Sequence, residues 1–127
     1  MTENEIAAHV MEVAFEIHRK LGPGLLESVY EVILARKLST RGLGIDRQRA
    51  VPIQFEGMEF REGFRADLIV DSKVIIEIKS VERFQPVFAK QLLTYLRLTG
   101  CRLGILINFG EALLKDGFKR VVNGLDD

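Results

Sequence analysis

Cysteine is all but missing from this chain: Cys101 is its single thiol. One thiol excludes an internal disulfide, a cysteine-based zinc site and an all-cysteine iron–sulfur cluster, and it fits a cytoplasmic protein. An excess of charge is missing as well. The 18 basic and 18 acidic residues cancel, so no global positive field would hold a long nucleic acid, and any such contact must be a local patch. Long apolar runs are absent too. The opening MTENEIAAHV is polar and acidic where a signal peptide would be basic and then apolar, so no membrane partner is expected. Gly22-Pro23-Gly24 lacks the Gly-Lys-Ser/Thr ending of a phosphate-binding loop. His9 and His18 lie about two and a half turns apart on one helix and cannot share a metal ion; each reads as a surface or boundary histidine. Neither they nor Cys101 compose a nucleophilic triad.

What remains is a chain of 127 residues, 47% hydrophobic, enough for one domain, residues 1–127, with a core that needs no staple. Repeats, low-complexity tracts and linkers are not found. Ile6, Val10, Val13, Ala14, Ile17 and Leu21 keep helical spacing and predict a helix from about Glu5 to Leu21, closed by the Gly22-Pro23-Gly24 cluster. A second helix follows, with Leu26, Val29, Tyr30, Ile33, Leu34 and Leu38 on its apolar side. From Gln48 to Val70 the pattern changes to strands, with a turn at Glu56-Gly57 and alternating Val51, Ile53 and Phe55. Two β-branched runs, Arg65–Val70 and Val74–Lys79, flank the polar Asp71-Ser72-Lys73 and predict a tight hairpin. Pro86 opens a third helix that Gly100 stops, and Leu103–Ile107 reads as a strand buried on both faces. Glu111–Lys115 reads as a turn or short helix, and Phe118–Val122 as a final strand or a helix. The order gives an α/β fold with a mixed central sheet flanked by helices.

Strand alternation puts Glu77 and Lys79 on one face with Ile75, and Asp67 with Ile69 on the preceding strand, so the hairpin brings two carboxylates and an amine together. Charges set among Leu68, Ile69, Val70, Ile75, Ile76 and Ile78 need partners or a metal to offset lost hydration. A hard cation such as Mg²⁺ (or Mn²⁺) takes oxygen ligands and keeps several waters, so Asp67, Glu77 and the Ile78 carbonyl form a half-cage, with Lys79 beside the reacting phosphate. The competing reading is a salt-bridge network on a sheet face. On the second helix Gly24, Glu27 and Tyr30 recur every three residues. Glu27 would point at the same metal or favour the helix N-terminus, and Tyr30 is a core residue first. Gln91 and Tyr95, four apart on the third helix, would face phosphate or water, or form the polar fringe of a packed helix.

The string Gly24-Leu25-Leu26-Glu27-Ser28-Val29-Tyr30, with Asp67, Glu77-Ile78-Lys79 and Gln91-Leu92-Leu93-Thr94-Tyr95, closely resembles the GxxExxY proteins, which are similar to the PD-(D/E)XK nuclease superfamily. The resemblance spans about Val10 to Gly124. It implies the restriction-endonuclease-like αβββαβ core and a RecB-like site in which Glu27, Asp67, Glu77, Lys79, Gln91 and Tyr95 converge, with Gly24 and Tyr30 supporting. Two positions depart from the pattern: Ala66 stands where the superfamily name has proline, and Phe88 where that family often carries histidine. The expected function is a metal-dependent nuclease acting on nucleic acid, DNA before RNA, with a homodimer widening its surface. The alternative is a non-catalytic nucleic-acid- or protein-binding module that keeps the fold.

Overall fold

A computed structural model of the chain describes residues 1–126. The first helix, α1 (Glu3–Leu21), starts two residues before the expected Glu5, because a capping box fixes its end. The Thr2 hydroxyl accepts the Glu5 amide at 3.2 Å and the Glu5 carboxylate accepts the Thr2 amide at 3.1 Å, which satisfies two of the orphan donors of the first turn. At the far end Gly22 takes φ 70° and its amide closes on the His18 carbonyl. The second helix, α2 (Glu27–Thr40), buries Tyr30, Glu31, Leu34, Ala35 and Leu38. Its stripe is therefore rotated from the one expected: Leu26 is 74% exposed and Val29 is also exposed, while the charged Glu31 points inward.

Five strands follow, β1 (Ile45–Phe55), β2 (Met58–Val70), β3 (Val74–Lys79), β4 (Leu103–Asn108) and β5 (Phe118–Val122), with the helix α3 (Pro86–Thr99) crossing between β3 and β4. They form one sheet in the order β1-β2-β3-β4-β5. Only β3 and β4 are parallel, as a helical crossover requires. The sheet is mixed and its class is α/β. Glu56 and Gly57 both take positive φ, 47° and 81°, the geometry of a two-residue hairpin turn. The final segment settles as a strand, and a single 3₁₀ turn at Leu114–Asp116 precedes it.

The sheet separates two apolar layers. Val74, Ile76 and Ile78 pack with α1 and α2, whereas Ile75 and Leu106 pack with Leu92 and Leu96 of α3. Gly104 leaves the room that Leu92 occupies, since a Cβ there would meet the leucine side chain at 2.8 Å. Phe55 and Phe60 are exposed, because the outer halves of β1 and β2 run past the part that β3 covers. Within β1 the register slips between Val51 and Ile53, with Pro52 between them. His18 is buried rather than at the boundary, its Nε2 2.8 Å from the Glu111 carbonyl and its ring stacked near Phe109. Among the described residues, no helix is long and apolar enough to cross a membrane.

Candidate active site

The hairpin of β2 and β3 pairs Leu68 with Ile76, Ile69 with Ile75 and Val70 with Val74, so Asp67 and Glu77 come next in the ladder. There the ladder changes character. Asp67 Oδ2 accepts the backbone amide of Ile78 at 2.8 Å, and Asp67 Oδ1 accepts the Gln48 side-chain amide at 3.3 Å. The alternation also breaks at this point. Phe64 and Ala66 face the α3 layer, as Ile69 does, while Leu68 and Val70 face α1 and α2. Across the pair, Gln48 of β1 has φ 50°, a left-handed conformation uncommon outside glycine.

Glu77 lies on the Ile75 face, as its parity requires, and is only 8% exposed. Its Oε1 is buried and has no hydrogen-bond partner. Burial, followed by the neighbouring Asp67 carboxylate, pushes the Glu77 pKa up to about 9, and the Lys79 ammonium opposes this only in part. An unsatisfied buried oxygen costs about 1–3 kcal/mol and more when charged, so Glu77 holds a proton in the free protein at neutral pH. Tyr95 is close enough to feel both carboxylates: burial, then Glu77, then Asp67 raise its hydroxyl pKa, while its hydrogen bond with Gln91 lowers it. The Tyr95 ring stacks on Phe64 with centroids 3.9 Å apart. Lys79 Nζ sits 4.7 Å from the centre of the Phe88 ring, within cation–π range. Phe88 thus holds the lysine that the hairpin presents.

The structure therefore brings Asp67, Glu77, Lys79, Gln91 and Tyr95 into one neighbourhood. Glu27 stands apart from it, exposed at the first turn of α2, in the wall of a cleft of about 990 Å³ that Asp67, Glu31, Arg47, Gln48 and Ser80 also line. Asp67 is the member of the acidic pair that reaches this cleft. Among the described residues, no three His, Cys, Asp or Glu side chains are grouped so as to hold a metal ion between them. Gly24, at φ 105°, belongs to the loop that forms the same wall. Tyr30 supports that loop from below. Its hydroxyl donates to the Gly22 carbonyl at 2.6 Å and accepts the Leu25 amide at 3.2 Å, and its ring stacks on Phe109 at 4.3 Å. Ser80 ties the loop to the end of β3, donating to the Leu25 carbonyl at 2.6 Å. Beyond Ser80, Asn108 takes the Val81 amide at 3.0 Å and gives a hydrogen bond to its carbonyl at 2.9 Å. Gly110 is needed there, since a Cβ would fall on the Val81 backbone.

Glu31, Arg47 and Gln48 were not among the residues expected at the site. Glu31 is 5% exposed and receives Arg47 Nη2 at 2.9 Å, Arg47 Nε at 3.3 Å and the Gln48 amide at 2.6 Å. The signal available in the sequence was its position beside Tyr30 and three residues before Leu34, inside the apolar stripe.

A fold and a site of this kind define a class. The profile of the PD-(D/E)XK nuclease superfamily matches residues 4–121, and the chain belongs to that superfamily. A solved crystal structure, of the protein SSO0001, is similar in fold, with a TM-score of 0.55 at 21% sequence identity over 79% of this chain. The likeness spans 52% of that longer chain, about half its length. No curated protein matches this chain in sequence.

PD-(D/E)XK nucleases generally depend on a divalent metal. The residues present fit such an ion: two adjacent carboxylates, one with a buried oxygen that lacks any partner, beside the main chain at Ile78. Two carboxylates suffice for Mg²⁺, which retains several of its waters.

Replacing Phe88 with alanine frees the Lys79 ammonium from its ring. At about 0.5–1 kcal/mol for such a contact, the turnover of any reaction that uses Lys79 falls roughly two- to fivefold. Steady-state kinetics check this, and thermal melting should show a lower midpoint as well, because the half-buried Phe88 ring also packs against the core on the α3 side.

Proposed function

We propose that this chain hydrolyses phosphodiester bonds of nucleic acid, DNA before RNA, at a Mg²⁺ (or Mn²⁺) site on the β2–β3 hairpin. The observation that carries the reading is the buried Glu77 Oε1 without a partner beside Asp67. Asp67, Glu77 and the Ile78 carbonyl would hold the ion, and Glu27 would reach it from the cleft wall through water. When bound, the ion supplies Lewis-acid polarisation of the phosphoryl oxygen and lowers the pKa of attached water. Lys79, steadied by Phe88, offsets charge that develops on the phosphate. Gln91 and Tyr95 present an amide and a phenol to phosphate or water from one face of α3. The narrower likeness to the GxxExxY proteins supports the same assignment of residues. A second copy of the chain would widen the surface offered to a duplex.

Digestion of labelled DNA and RNA with Mg²⁺ under single-turnover conditions tests the proposal. Cleavage is expected in the native chain and a loss of at least about 10²-fold in Lys79→Ala. Cleavage of neither substrate, or cleavage unchanged in that variant, overturns it.

The balance of 18 basic and 18 acidic residues in so small a chain motivates a second reading, a nucleic-acid- or protein-binding module that keeps the fold without the reaction. Calorimetric titration separates the two. A metal-competent site binds Mn²⁺ and loses it in Asp67→Ala, whereas the binding module takes up no ion.

A further inference from the structure

We infer that Gln48 is a positioning residue for Asp67, a role that rests on the metal-site reading above. Its one side-chain amide donates to two carboxylates: Glu31 Oε1 at 2.6 Å and Asp67 Oδ1 at 3.3 Å. The other Asp67 oxygen is taken by the Ile78 amide at 2.8 Å. Asp67 is therefore held at both oxygens, and the hydrogen bond from Gln48 restrains its carboxyl from the β1 side.

Three features single out Gln48 from an incidental neighbour. First, it occupies the left-handed region at φ 50° in the middle of a strand, between the regular pairs Arg47–Leu68 and Arg49–Ala66. A non-glycine residue adopts this conformation when its surroundings over-determine it. Second, the surroundings are built for it: Glu31 is buried, and its second oxygen is already occupied by Arg47 through Nε and Nη2. Arg47 thus neutralises the buried carboxylate and leaves the Glu31 Oε1 free to fix the neutral amide. Third, the group that reaches Asp67 carries no charge. A lysine or arginine there would pair with Asp67 and compete with a cation for it, whereas an amide orients the carboxylate and leaves its charge for a metal.

The chain of contacts runs from α2 through Glu31 and Gln48 to Asp67 and on to the Ile78 backbone. It ties the cleft-lining helix to the acidic pair through hydrogen bonds that span β1, β2 and β3.

The test uses Gln48→Met, which keeps the length of the side chain and the backbone preference but removes both donors. Gln48→Asn serves if the methionine variant fails to fold, because asparagine tolerates the left-handed conformation and falls one methylene short. Two quantities are measured on the full chain: Mn²⁺ affinity by calorimetry, and hydrogen exchange of the Ile78 amide without metal. A positioning role predicts a 10- to 100-fold loss of Mn²⁺ affinity and roughly tenfold faster exchange at Ile78, with exchange at Ile76 and Ile105 unchanged. Native values of both in a folded variant overturn the inference. A uniform rise in exchange across the sheet also overturns it, since that marks a merely structural residue. If the native chain binds no Mn²⁺, the metal-site reading fails on its own, and the Ile78 exchange alone decides whether Gln48 orients Asp67.

Discussion

Glu77→Gln is expected to end metal-dependent cleavage while making the metal-free fold more stable at pH 7 than the native one. The two halves of this result come from one observation. In the free protein the Glu77 carboxyl is buried, has an oxygen without a partner, and has its pKa pushed up to about 9. At pH 7 it is therefore protonated in the folded chain, where an amide of the same shape replaces a neutral group with a neutral group, while the unfolded chain loses the gain it had from ionising at that pH. With an ion present the comparison reverses, because a carboxylate supplies a charge and a lone pair that the amide lacks. The rate of cleavage should fall by at least about 10³-fold, or about 4 kcal/mol of barrier. Single-turnover digestion and thermal melting in a chelator measure the two halves. Cleavage that persists would remove Glu77 from the reaction. A large drop in melting temperature would show that the native carboxyl is ionised and paired.

The same pKa gives the second large effect, a strong dependence on pH. Folding raises the Glu77 pKa from 4.5 to about 9, so between these values the folded chain carries a proton that the unfolded chain has released. The stabilisation from Glu77 is complete below about pH 4.5, declines as pH rises, and is lost above pH 9. The span corresponds to a loss on the order of several kcal/mol for the metal-free protein. Urea unfolding in a chelator should show this decline, and Glu77→Gln should flatten it. Metal binding runs in the opposite direction. An ion must displace the proton, so Mn²⁺ affinity rises about tenfold per unit between pH 6 and 8, with about one proton released per ion. Calorimetry in buffers of different ionisation enthalpy counts that proton. Affinity that does not vary with pH would mean the ion avoids Glu77.

The parts of this molecule that follow simple periodicities were legible in the sequence. Glu77 and Lys79 could be assigned to the Ile75 face because β3 alternates without interruption, and the order of helices and strands followed from caps and turns such as Pro86, Gly100 and Glu56-Gly57. The parts that depend on a broken period were not. Strict alternation would put Ala66 on the Leu68 face, yet Ala66 packs on the Ile69 side, so the strand breaks period around Asp67, and Gln48 opposite it turns left-handed. No local signal marks such a break when neither residue is glycine. Glu31 was missed for a different reason. The apolar stripe of α2 was drawn through Leu26 and Val29, which packing against α1 leaves outside, and rotating the stripe brings Glu31 in. The orientation of a helix is set by what it packs on, which a single strand of text does not display.

The slip in β1 between Val51 and Ile53 reaches beyond the site. β1 is one of the two margins of the sheet, and a margin offers free amides and carbonyls to any strand that approaches. Here Pro52 has no amide to offer, the register shifts around it, and Gln48 bends the chain four residues earlier. Charged Asp46, Arg47 and Arg49 occupy the rest of that stretch, and Arg49 pairs with Asp46 at 3.0 Å. A straight run long enough to template a sixth strand does not exist along it. Growth of the sheet from this side, whether into a fibril or a continuous two-chain sheet, is thereby disfavoured, and copies that meet along β1 must do so through side chains.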